Sequence, residues 1–111
     1  LISSLLTDIS GASSWFKQGW IVYSNDSKMR ELGVERTAFD SDSSGAVSHK
    51  VAVQMARGAR YKSGSNVSIA VTGIAGPAQD ESNKTVGLVY VGIASKHWAN
   101  AESVQFGGTR F

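Results

Sequence analysis

The stretch from Ser48 to Val71 constrains the fold more than any other part of the chain. Val51, Ala52, Met55, Ala56 and Ala59 recur at helical spacing, which predicts one amphipathic helix from Ser48 to about Tyr61. Its apolar stripe is mostly alanine, so the helix axis can come close to whatever it covers. Ser48 is placed to cap the first turn and Gly64 to end the last. Directly afterwards comes Val67-Ser68-Ile69-Ala70-Val71, a short β-branched run of the kind found in buried strands. A small-faced helix running into a strand has a sheet to lie on, and the chain is expected to be a layered α/β domain.

The remaining elements follow the same alternation. Leu1, Ile2, Leu5 and Leu6 form one helical stripe, which should stop near Asp8–Gly11. Trp15 to Tyr23 is aromatic and β-branched and is expected to be a strand, with Gly19 marking a bulge or a close backbone approach. Ser24, Asn25 and Asp26 offer caps for a short helix whose apolar face is Met29 and Leu32. Gly33 should end it in the left-handed conformation that glycine tolerates. Asp40 to Gly45 is a polar loop. Val86 to Ala94 predicts a second strand, and Glu102 to Phe106 a third with the alternation of an edge.

Composition narrows the class. A length of 111 residues fits a single domain, and 41% hydrophobic residues suffice for a core. The absence of cysteine excludes a disulfide scaffold and a thiol nucleophile. No apolar run is long enough to span a bilayer. The net charge is only +2, which argues against nucleic acid as a partner. From Ser43 to Gln79 there are Lys50, Arg57, Arg60 and Lys62 and no acid, which we read as a solvated helix face.

Two places carry chemistry. Thr72-Gly73-Ile74-Ala75-Gly76-Pro77 should break the Val67–Val71 strand sharply, at a strand end where open α/β sheets bind ligands. Its glycines let backbone N–H groups approach an anion, yet it is neither a Walker loop nor a dinucleotide fingerprint. A plain tight turn fits it equally well. The second place pairs Tyr23 with Lys28. A lysine in the first turns of a helix opposes the dipole, so its pKa should fall, which suits a general base. The alternative is a solvated lysine relieved by Asp26 or Glu31. Asp40-Ser-Asp42-Ser-Ser44-Gly45 imitates the start of a calcium loop, but Val51 stands where the bidentate carboxylate belongs. His49 and His97 have no ligand partners at metal spacing, so no metal is expected. Trp15, Trp20 and Trp98 are expected in the core or an interface.

Seven segments occur in a recognisable order: Leu-Thr-Asp-Ile-Ser-Gly-Ala-Ser-Ser-Trp-Phe (6–16), Val-Tyr-Ser-Asn-Asp-Ser-Lys (22–28), Leu-Gly-Val (32–34), Gly-Ala-Val-Ser (45–48), Val-Thr-Gly-Ile-Ala-Gly-Pro (71–77), Val-Gly-Leu-Val-Tyr (86–90) and Phe-Gly-Gly-Thr-Arg (106–110). With them the whole chain resembles the C-terminal domain of the CinA family, the nicotinamide-nucleotide amidohydrolases. The resemblance implies a three-layer α/β/α domain with a mixed central sheet. It implies hydrolysis of the carboxamide of nicotinamide mononucleotide to nicotinate mononucleotide and ammonia by a serine-type amidase. It implies no cofactor, a mononucleotide as the small-molecule partner, no nucleic acid and no membrane, a homodimer and a cytoplasmic location.

Position by position, the resemblance puts Tyr23 and Lys28 on the proton-handling pair. It puts Thr72, Gly73, Ile74, Ala75 and Gly76 on the loop lining the site, and Arg110 on an arginine that meets an anionic substrate group. Gly-Gly-Thr-Arg stands where the family has Gly-Asp-Arg. The family's nucleophilic serine lies in a Glu-Ser-x-Thr-Gly-Gly segment just before the residue matching Leu1, and the family continues past Phe111 into a last helix. The expectation is therefore a domain incomplete at both ends and, as these 111 residues, inactive. The alternative is a non-catalytic nucleotide-binding or regulatory domain of the same fold.

Overall fold

The structure is a computed structural model that describes residues 2–40, 47–73 and 87–105. Helix α1 (Ile2–Thr7) leads into a 3-10 turn (Ala12–Ser14). Helices α2 (Asn25–Leu32), α3 (Thr37–Asp40) and α4 (His49–Ser63) follow. Strands β1 (Val67–Gly73), β2 (Leu88–Ser95) and β3 (Ala99–Gln105) then pair in that order. No helix among the described residues is long and apolar enough to cross a membrane.

Helix α4 organises the rest. The Ser48 hydroxyl accepts from the Val51 amide at 3.1 Å and caps its first turn, and Gly64 ends it. Val51, Ala52, Met55, Ala56 and Ala59 are all buried, the stripe the spacing predicts. Val51 is completely enclosed, worth about 1.5–3 kcal/mol of transfer free energy. Val51, which stands where a calcium loop would need its bidentate carboxylate, faces the core.

The sheet beneath α4 is antiparallel throughout. Val67 faces Ser95 and Gly73 faces Val89 across β1 and β2, and Leu88 faces Gln105 across β2 and β3. Ala70, Thr72, Ala94 and Ala101 are buried on the face that meets the helices. Contact there is close because the facing residues are small. A Cβ at Gly92 would meet the Ala52 carbonyl, and a Cβ at Gly58 would meet the Leu32 carbonyl at the end of α2, both well inside van der Waals distance. The core gathers Leu32, Val34, Ala38, Val51, Met55, Ala56, Ala59, Ala70 and Ala94. The Glu35 amide donates to Gln54 Oε1 at 2.7 Å and ties the exit of α2 to α4.

The fold is α/β, and it differs from the sequence reading in several details: the sequence marked neither the 3-10 turn Ala12–Ser14 nor α3, whose last residue Asp40 was expected to open a loop. Residues 16–23 form no strand: they have no regular secondary structure and no ladder partner. Their composition still shows, because Trp20 and Val22 pack on the core while Ile21 and Tyr23 face solvent, being 99% and 96% exposed. Alternation supplies one face to bury, but a strand also needs a neighbour for its N–H and C=O groups. Without this segment the described sheet is antiparallel and not mixed. β1 runs on through Thr72 and Gly73, so the sharp break expected at Thr72 does not occur there. β3 begins at Ala99, ahead of the expected Glu102. The calcium-like loop from residue 41 lies outside the described residues.

Candidate functional site

Helix α2 positions the best-formed part of the site. The Ser24 hydroxyl accepts from the Ser27 amide at 3.0 Å, and the Ser27 hydroxyl accepts from the Ser24 amide at 3.1 Å. This reciprocal cap fixes where the helix starts and hence where Lys28 lies. Gly33, with φ of 70°, closes the helix as its sequence predicts.

Lys28 is buried, unusually for a lysine, and only 6% of its surface is exposed. Its Nζ donates to the Tyr23 carbonyl at 3.4 Å, a long and weak hydrogen bond, and makes no other among the described residues. Desolvation by burial lowers its pKa below the ordinary lysine value of 10.5. The sequence argument expects the same direction from the helix dipole; desolvation is the cause found. Neither acid offered as a relieving partner takes that role. Asp26 and Glu31 both pair with Arg30, the latter at 3.3 Å. Lys28 is thus a sequestered amine without a carboxylate partner among the described residues, the condition in which a lysine accepts protons as a base.

Tyr23 contributes through its main chain, which holds the Lys28 ammonium, while its phenol stands in solvent. Thr72 is buried at the C-terminal end of β1 opposite Tyr90, and Gly73 is the last residue of that strand. Ile74, Ala75, Gly76 and Arg110 lie outside the described residues. The structure therefore joins Lys28 to Tyr23 and puts Thr72 and Gly73 at a strand end.

The family described as the CinA C-terminal domain matches residues 1–111, the entire chain. The chain belongs to the CinA C-terminal domain family. A CinA-like protein of Geobacter sulfurreducens is 44% identical over 110 residues, which are 99% of this chain and 26% of that protein. A CinA-like protein of Chlorobium limicola is 47% identical over 96 residues, 86% of this chain and 22% of that protein. The chain thus spans about a quarter of the length of these curated relatives. Among solved CinA-family structures, the superfamily protein of Escherichia coli superimposes with a TM-score of 0.90 at 29% identity, covering 97% of this chain and 62% of that one. The competence/damage inducible protein CihA of Agrobacterium tumefaciens superimposes with a TM-score of 0.86 at 38% identity, covering 96% and 64%.

Sequence reasoning missed two residues that set this geometry. Gly58 and Gly92 carry no turn signal, sitting inside a helix and a strand, and their role is visible only once α2 and β2 are placed against α4.

Proposed function

We propose that this CinA domain takes part in hydrolysing the carboxamide of nicotinamide mononucleotide to nicotinate mononucleotide and ammonia, as a cytoplasmic homodimer that needs no cofactor. One observation carries the reading: the buried Lys28 amine, its pKa lowered, held at the carbonyl of Tyr23. An amine in that state accepts the proton of a hydroxyl nucleophile as the new C–O bond forms and the amide C=O pair moves onto oxygen. Collapse of that adduct breaks the C–N bond, and the leaving nitrogen takes the proton back from Lys28. Water then repeats the sequence on the ester and releases the carboxylate. Thr72, Gly73, Ile74, Ala75 and Gly76 line the substrate in this reading, and Arg110 meets its anionic group.

The nucleophile in this scheme is the serine of a Glu-Ser-x-Thr-Gly-Gly segment, which these 111 residues do not contain. The second reading is a domain of the same fold that binds a nucleotide without chemistry. Ammonia release decides between them. A chain carrying Glu-Ser-x-Thr-Gly-Gly ahead of Leu1 should deamidate nicotinamide mononucleotide, and Lys28→Ala should slow it by about 100-fold or more. The 111-residue chain should release none. A lengthened, folded chain that binds the mononucleotide without turnover would favour the second reading. Robust turnover by the 111 residues alone would show that the nucleophile is misplaced.

A further inference from the structure

A concave surface lies at the opposite end of β1 from Thr72 and Gly73. Ser95 pairs with Val67, the first residue of β1, so the β2–β3 hairpin closes over that end. The Ser95 amide donates to the Trp98 carbonyl at 2.8 Å, which tightens the turn and projects Lys96, His97 and Trp98 from it. The last turns of α4 lie alongside. Arg57, Arg60 and Tyr61 are spaced three and four residues apart and share one face of that helix. Together these six residues line an open hollow of about 350 Å³.

Charge and exposure give the hollow its chemistry. Arg60 Nε donates to the Asn66 carbonyl at 3.4 Å, and its terminal nitrogens have no hydrogen-bond partner among the described residues. Among the described residues Arg57 and Lys96 make no ion pair and no carboxylate lines the hollow. Trp98 is 57% exposed and Tyr61 is 85% exposed, two large aromatic faces left in water beside the cations. An aromatic ring wanted only for the core would be covered. Cations wanted only for solubility need not gather from two separate segments of chain. A guanidinium pair with a lysine matches a phosphate, and an exposed indole matches a planar base. A volume of that size is at the small end of ligand sites, about one nucleoside in scale.

We propose that this hollow binds a nucleoside phosphate, with Arg57, Arg60 and Lys96 on the phosphate and the Trp98 indole stacked on the base. The ligand is a free nucleotide or one unit of a single strand, which present the same phosphate and base. The site is separate from Lys28 and stands whether or not the amidohydrolase reading does.

Calorimetry on the Lys28→Ala chain tests it, titrated with adenosine monophosphate and, separately, with a short single-stranded oligothymidylate. At least one should bind. The double substitution Arg57→Gln with Lys96→Gln should weaken binding by about tenfold or more, through loss of charged hydrogen bonds. Trp98→Leu should weaken it by about threefold or more, through loss of stacking. The pair Arg36→Gln with Lys50→Gln removes as much charge elsewhere on the surface and should change binding by less than about twofold. Circular dichroism confirms that each variant is folded. A free nucleotide is the ligand if the oligonucleotide binds no tighter. A strand is the ligand if it binds tighter and weakens steeply with salt. Failure of both probes to bind overturns the proposal, and so does equal loss in the control pair.

Discussion

Lys28 shows how burying one amine makes stability depend on pH. Because burial lowers its pKa in the folded state, the unfolded chain holds more protons at this residue between the folded pKa and 10.5. Folding stability therefore rises with pH across that window, and at lower pH the charged amine stays as a destabilising load. Replacement by an apolar side chain of similar length should relieve it. Lys28→Met is expected to raise the urea midpoint at pH 7 and to flatten its rise toward pH 10, measured by tryptophan fluorescence. A midpoint that falls at pH 7 would mean that the bond to the Tyr23 carbonyl outweighs desolvation. The direction of the shift was legible in the sequence, since a lysine at a capped helix start is an odd placement. The cause was not, because burial depends on what α4 brings against α2. The phenol of Tyr23 shows the same limit: its position was marked by resemblance, and its exposure is a tertiary fact.

Among the elements, the helices were the more legible. Local signals decide them: Ser24, Ser48, Gly33 and Gly64 stop and start α2 and α4 through bonds to neighbours a turn away. Strands need partners from distant sequence. Residues 16–23 have strand composition and no ladder, while Ala99-Asn100-Ala101 has little strand character and pairs fully with β2. The two close-approach glycines turn this contrast into a prediction. Alanine in place of a mid-helix glycine ordinarily gains about 1 kcal/mol. At Gly58 the added methyl would meet the Leu32 carbonyl, so Gly58→Ala should instead lose about 1–3 kcal/mol as α2 is pushed off α4. Gly92→Ala should lose a similar amount against the Ala52 carbonyl. Urea denaturation of both variants checks the sign.

At the scale of the molecule, the sheet has two unlike faces. One is closed by α4, and the other leaves Val67, Ile69, Ile93 and Val104 exposed, with Ile69 directly opposite Ile93. Apolar area in water forgoes about 25 cal/mol for each Å² left uncovered, and a β-branched patch of this kind invites association. Ile69→Thr with Ile93→Thr should lower binding of a hydrophobic dye and reduce light scattering of the concentrated chain. Stability should change by no more than about 1 kcal/mol, because both side chains are already wet. Unchanged scattering would show that this face does not drive association.

The residues alone determined the limits of α2 and α4, the buried stripe of α4, the α/β class and the family, because caps, periodicity and motif order act over a few neighbouring positions. Only the tertiary structure decided which segments became strands, where Lys28 hides its charge, and that two arginines of α4 meet the Lys96–Trp98 turn. Each of those is settled by a partner distant in sequence, and pairing across such distances is a matter of which surfaces close on one another.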